Sequence, residues 1–296
     1  MLETALLWWV WLACVVFVVG NGLRALKYAR APAHLRWDLY PVAHEPGDHG
    51  GSYLEQKEWW TKPRKKSLTG EVRFMAEEIL LLRGVWKHNR AVWWGSLPFH
   101  WGLYGLIVTT AGLAGAAAGF LAEPWLAALA FAGLLSGGLL TLGSLVLLWL
   151  RWTDPRLRPY TSPLDLMNLA LLAVLGGLSV AVAAGPGGLG PAAAAVGDIV
   201  RFRPPDPPPL LAAQMAVAGL FLLYFPLTQM VHLFAKYFTY HAVRWDDRPR
   251  ERGTALDRRL TAALDFGVDW SAEHVGSGRT WAEVATTLPG EDRKAE

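Results

Sequence analysis

Eight histidines are spread along 296 residues, and two of them stand where a histidine is costly. His34, His44, His49, His88, His241 and His274 fall in polar stretches, whereas His100 and His232 fall inside long apolar runs. An ionisable side chain within an apolar span marks a functional site by default. His100 lies near the start of the second run and His232 near the end of the fifth. If successive runs cross a bilayer in alternating directions, the two come to a similar depth on antiparallel helices. Two neutral imidazoles offered from opposite sides can supply both axial ligands of a haem iron. A site closed in this way suits electron transfer better than oxygen chemistry, which needs an open position. The alternative is that each histidine hydrogen-bonds a neighbouring helix and serves as packing glue. Gly102 and Gly105, beside His100, suit either a flat macrocycle against the backbone or ordinary close helix packing.

The elements that would hold such a pair are membrane helices. The AVILMFWYC set makes up 53% of the chain and charged residues 18%, against roughly 25% charged in soluble domains. Mean hydropathy is +0.23, which excludes a disordered or collagen-like chain. Sixteen tryptophans fit a protein with two membrane–water interfaces. The one cysteine, Cys14, excludes a disulfide framework and any cluster held by cysteines of this chain alone; it reads as an apolar filler. A span needs about 20 mostly apolar residues. Five stretches qualify, at about 4–26, 98–121, 124–150, 163–184 and 210–236. The first has Glu3 and no basic residue ahead of it, so it reads as a retained helix rather than a signal peptide.

The expected fold is therefore an all-α integral membrane protein with five transmembrane helices. Residues 1–245 form the membrane domain, which includes a long cytoplasmic insertion at 27–97, and 246–296 form a cytoplasmic tail. Lys and Arg set the orientation. Twelve lie from Lys27 to Arg90, three more (Arg151, Arg156, Arg158) between the third and fourth spans, and nine from Arg244 to Lys294. The opposite side has Arg201 and Arg203. The N-terminus is accordingly placed outside and the tail inside, in a multi-pass protein of the cell's inner membrane. A net charge of +3 is too small to suggest nucleic acid. Within the insertion, 71–86 reads as a helix along the interface, with apolar Phe74, Met75, Ile79, Leu82 and Trp86. The outer link at 185–209, rich in Gly, Pro and Ala, reads as a cover loop. The charged tail reads as a docking surface or as partly disordered.

Two motifs carry a family resemblance. Phe99-His-Trp-Gly-Leu-Tyr104 opening the second span resembles the gamma subunit of respiratory nitrate reductase, as does Phe225-Pro-Leu-Thr-Gln-Met-Val-His232 closing the fifth. Trp86-Lys-His-Asn-Arg-Ala-Val-Trp-Trp94 is similar to that family's relatives in sulfite-reductase-associated, transmembrane electron-transfer and heterodisulfide reductase complexes. The resemblance covers about residues 1–245 and implies a haem b protein passing electrons between a membrane quinone and a cytoplasmic-side iron–sulfur partner. Such a chain is a non-autonomous subunit of an oxidoreductase complex. By residue matching, His100 and His232 take the places of the inner haem's ligands. The places of the second haem's ligands are held by Thr110 and Gln214, so one haem is expected, with any quinone close to it. His88 and His241 would lie some 14 to 18 Å further inward at 1.5 Å per helical residue, with Pro98 interrupting the helix on one side, so a second haem there is disfavoured.

Further residues follow from these expectations. Lys87, Arg90 and Lys236 are on the side needed to hold haem propionates, Arg90 being the best placed, although positive-inside topology also accounts for them. His88, Trp93 and Tyr237 could line a quinone headgroup pocket, while interfacial anchoring explains the aromatics equally. Thr110 and Gln214 are expected to hydrogen-bond across helices. Pro226 is expected to kink the fifth helix ahead of His232. The run Trp59-Trp-Thr-Lys-Pro-Arg-Lys-Lys66 suits membrane lipid or an acidic partner. A competing function is a haem-free membrane anchor that recruits iron–sulfur subunits. Transport has little support, since no acidic residue lies deep in a span and no broken helices are paired.

Overall fold

The structure, a computed structural model, describes residues 1–30, 67–120, 124–239, 252–271 and 275–287. The insertion residues 31–66, with the Trp59–Lys66 run, lie outside that set, as does His241. Every regular element described is helical. In chain order these are α1 (Leu2–Arg30), α2 (Leu68–Leu80), α3 (Arg83–His88), α4 (Arg90–Ala117), α5 (Pro124–Thr153) and α6 (Pro163–Ala184). There follow α7 (Gly190–Val200), α8 (Pro209–Tyr224), α9 (His232–Thr239), α10 (Ala255–Leu264) and α11 (Trp281–Thr286). Among the described residues four helices are long and apolar enough to cross a bilayer: Leu2–Arg30, Trp125–Thr153, Pro163–Ala184 and Pro209–Leu227. The second expected span is present as α4, 28 residues long. His100, Trp101, Tyr104, Thr109, Thr110 and several glycines dilute its apolar character, which is why α4 does not rank with the other four.

The chain divides into two compact units, residues 1–21 with 72–230, and 22–71 with 231–296. In the first, α4, α5 and α6 pack as antiparallel neighbours along a seam of small residues. A Cβ on Gly102 would lie 2.6 Å from the Ser136 carbonyl oxygen, and one on Gly143 2.7 Å from the Phe99 Cα. A Cβ on Gly137 would lie 2.8 Å from the carbonyl oxygen of Gly176 on α6. In a bilayer, where lipid is as apolar as leucine, such backbone approach supplies the packing that holds helices together. α6 begins with a capping box: Ser162 Oγ accepts from the Asp165 N–H, and the Ser162 N–H donates to the Asp165 carboxylate. Both satisfy groups that a helix start otherwise leaves bare.

The link at 185–209 differs from the cover loop expected of it. Residues 190–200 form α7, which buries Ala192, Ala195 and Ile199. Proline in its first turn and four consecutive alanines favour the helix. Leu189, Ala192 and Ala195 join Leu113, Val182, Ala183 and Leu211 in a buried cluster. The Trp11 indole N–H donates to the Ile199 carbonyl at 3.1 Å and its ring stacks on Phe202 at 4.6 Å.

Two boundaries also move. Pro98 lies inside α4 rather than ending it, so the helix begins at Arg90 and is capped by Asn89, whose side chain accepts from the Val92 N–H. The expected interfacial helix over 71–86 is two helices, broken at Leu82, which takes a left-handed φ of 50°.

In the second unit, α10 and α11 flank a short antiparallel contact. The Val268 N–H donates to the Arg279 carbonyl and the Gly278 N–H to the Val268 carbonyl, both at 2.7 Å. Thr254 and Thr280 cap the two helices, and Ala263, Val268 and Val275 are buried. The described part of the tail is thus folded.

Candidate functional site

His100 is held by its own helix. Its Nδ1–H donates to the Ser96 carbonyl oxygen one turn earlier, at 2.7 Å. A carbonyl can only accept, so in the neutral ring the proton sits on Nδ1 and Nε2 carries the lone pair. Metal-bound histidines are oriented in this way, by a hydrogen bond to the far ring nitrogen. The ring is half-buried, with Phe99 edge-on at 5.2 Å and Tyr104 at 6.1 Å.

At 3.6 residues per turn, His100 lies on the opposite side of α4 from Gly102 and Thr109. Gly102 and Gly105 both abut α5, so helix packing accounts for the two glycines beside the histidine. Their spacing left that alternative level with a macrocycle contact, and the neighbouring helix decides it.

The same part of α4 receives the end of α2. Trp93 Nε1 donates to the Leu81 carbonyl at 2.8 Å, Trp101 Nε1 to Leu80 at 2.7 Å, and Tyr104 OH to Ile79 at 3.2 Å. A helix C-terminus leaves its last carbonyls without intrahelical partners. Here three aromatic donors take them up, and that is where the helix stops. On α2, Glu77 accepts from Arg73 at 3.1 Å and also pairs with Arg83. Arg73 first, then Arg83, holds the Glu77 carboxyl below its usual range.

Trp93 also meets Trp86 at 4.7 Å and Trp94 at 5.0 Å, and the Arg90 guanidinium lies 4.5 Å from the Trp86 ring centroid. Arg90 is therefore drawn to an aromatic face. Lys87 and His88 are exposed on α3.

His232 stands in different surroundings from those expected. The fifth span is not one helix over 210–236. α8 ends at Tyr224, two single 3-10 turns follow at Phe225–Leu227 and Gln229–Val231, and His232 opens α9 with its side chain exposed. Pro226 thus breaks the helix where a kink was expected. It is buried, and a Cβ on Gly20 of α1 would lie 2.8 Å from its Cβ. The Thr228 hydroxyl donates to the Phe225 carbonyl at 2.9 Å and accepts from the Met230 N–H at 3.1 Å, fixing the turn. Lys236 lies one turn beyond His232 on the same face of α9 and is half-buried. Tyr237 is exposed, edge-on to Phe238 at 5.5 Å.

His100, Lys87, His88, Arg90 and Trp93 belong to the first unit, and His232, Lys236 and Tyr237 to the second. Gln214 does bond across helices, Nε2 donating to Ser179 Oγ at 2.9 Å, whereas Thr110 donates to Leu106 within α4. Sequence reasoning passed over Ser96 and Tyr104. The signal for Tyr104 was its spacing, four residues after His100 on the same helix face, whereas Ser96 contributes a backbone carbonyl that no side chain announces. Among the described residues no three His, Cys, Asp or Glu side chains gather as a metal cluster, so chemistry that needs three such ligands finds no site among them. No family model matches the sequence, and no curated protein matches it.

Proposed function

We propose that this chain is the haem b subunit of a membrane redox complex, a five-span protein similar to the nitrate reductase gamma subunit. α4 is its remaining span, the N-terminus is outside the inner membrane, and the tail is cytoplasmic. The observation that carries this reading is the His100–Ser96 hydrogen bond, which leaves the outer ring nitrogen of a half-buried imidazole with its lone pair. His100 fits a haem on that ground. His232, the second ligand by the family resemblance, is an exposed residue that begins α9. When bound, a haem with two imidazole ligands supplies one-electron transfer and no open coordination position.

The chain's own residues do the rest. The Ser96 carbonyl keeps the proton on His100 Nδ1. Lys87, Arg90 and Lys236 supply cations for the propionates. His88, Trp93 and Tyr237 offer a quinone headgroup its surroundings, Trp93 through its ring face because its N–H is engaged. The cytoplasmic-side partner is an iron–sulfur subunit. The exposure of His232 and the folded part of the tail favour a second reading, a haem-free anchor that recruits such a subunit.

Purification without added haem, followed by a reduced-minus-oxidised spectrum, separates the two. The cytochrome reading expects about one haem b per chain in the wild type and none in His100→Ala. A colourless, folded protein that still captures its iron–sulfur subunit establishes the anchor instead.

A further inference from the structure

Between the inner-facing ends of α5 and α6 lies an apolar groove of about 490 Å³, lined by Leu148, Trp152, Leu166, Met167 and Ala170. The link that joins these helices, residues 154–162, is folded back on itself. Leu157 and Arg158 donate their N–H groups to the Asp154 carbonyl, and Tyr160 donates to Leu157. Arg156 and Arg158 lie in it and Arg151 at the end of α5 just before it, and the link's own acid is Asp154. That acid is already committed. Arg156 grips it through a fork, Nε to one oxygen at 3.0 Å and Nη2 to the other at 2.8 Å, and its backbone N–H adds a third bond. Asp165 is occupied by the Ser162 cap. Asp165 keeps its charge there and feels Arg151, so one positive charge is left in excess. Arg158 is exposed and makes no ion pair among the described residues. Arg151 makes one long contact, 3.4 Å, to the Thr161 hydroxyl and retains other donors. Trp152, 73% exposed, and Tyr160, 84% exposed, stand at this same end, as interfacial aromatics do.

We propose that this end of the α5–α6 pair binds one anionic phospholipid, with an acyl chain in the Leu148–Ala170 groove and its phosphate on Arg158 and Arg151. The groove alone would take any acyl chain. The one positive charge in excess at its mouth, on exposed Arg158, selects the anionic class, since a basic residue at a membrane surface favours such lipids about fivefold. The site depends on α5 and α6 crossing a bilayer but not on any haem, so it stands or falls separately from the redox reading.

Native mass spectrometry of the full chain, released from nanodiscs holding equal phosphatidylglycerol and phosphatidylcholine, counts the retained lipid. The wild type is expected to keep one phosphatidylglycerol in preference. Arg158→Gln should reduce that preference about fivefold. Ala170→Trp, which fills the groove without changing charge, should abolish retention, while Arg203→Gln, the same charge change on the outer link, should leave it intact. Thermal melts of each variant report that it is folded. Equal retention of the two lipids by the wild type, an unchanged preference in Arg158→Gln, or displacement by millimolar glycerol phosphate would overturn the proposal.

Discussion

His100 and His232 look equivalent in the sequence and are not equivalent in the structure. His100 sits within 28 residues of continuous helix whose far side is pressed onto α5 through Gly102, and its ring is tied to the Ser96 carbonyl. His232 begins a helix of eight residues, after two 3-10 turns set by Pro226 and Thr228, and its side chain is exposed. The first imidazole is oriented by a rigid rod, the second by a turn. An apolar run tells where a chain can cross a membrane; it does not tell whether the helix continues to the end of the run.

The contrast can be broken most severely from the α4 side. Gly102→Leu forces a side chain into the α5 backbone, so the bundle should lose about 3 kcal/mol, read as a lowered melting midpoint in detergent. A substitution tolerated without loss would mean that the seam does not fix α4. On the His232 side, Thr228→Ala removes both bonds of the turn and should cost about 1–2 kcal/mol. Hydrogen exchange at the Met230 amide should accelerate while the amides around His100 keep their protection. Equal acceleration at both places would erase the distinction drawn here. Trp101→Phe deletes the donor to Leu80 and should cost about 1 kcal/mol, loosening the end of α2 without unfolding α4.

The smallest effect expected is electrostatic. The folded-state pKa of Glu77 lies below the ordinary carboxylate value because Arg73 and Arg83 stabilise the charged form. Its contribution is therefore present above the ordinary value of 4.5 and is lost as pH falls through the lowered one. Protease nicking near the α2–α3 junction should rise only below that value, and Glu77→Gln should remove the pH dependence.

Much of the fold was legible because burial in lipid demands long apolar stretches. α1, α5, α6 and α8 were read from hydropathy, and Ser162-x-x-Asp165 announces the start of α6. α7 was not legible, since Gly, Pro and Ala write loop and packed helix in the same letters. The caps Thr254-x-x-Asp257 and Thr280-x-x-Glu283 were there to be read in the tail and mark its folded part. Pro98 and Pro226 show why proline alone does not fix a boundary. Pro98 is carried within α4, whereas Pro226 meets a following Thr228 that offers the backbone a different partner. Of the site, the two histidines were visible as residues. The carbonyl that sets the His100 tautomer belongs to the backbone, and no side-chain pattern encodes it.

The most direct test is electron paramagnetic resonance of the oxidised, purified chain beside His100→Ala and His232→Ala. The account predicts a low-spin ferric signal of two imidazole ligands in the wild type, absent from both variants. A low-spin signal that survives in His100→Ala would contradict it.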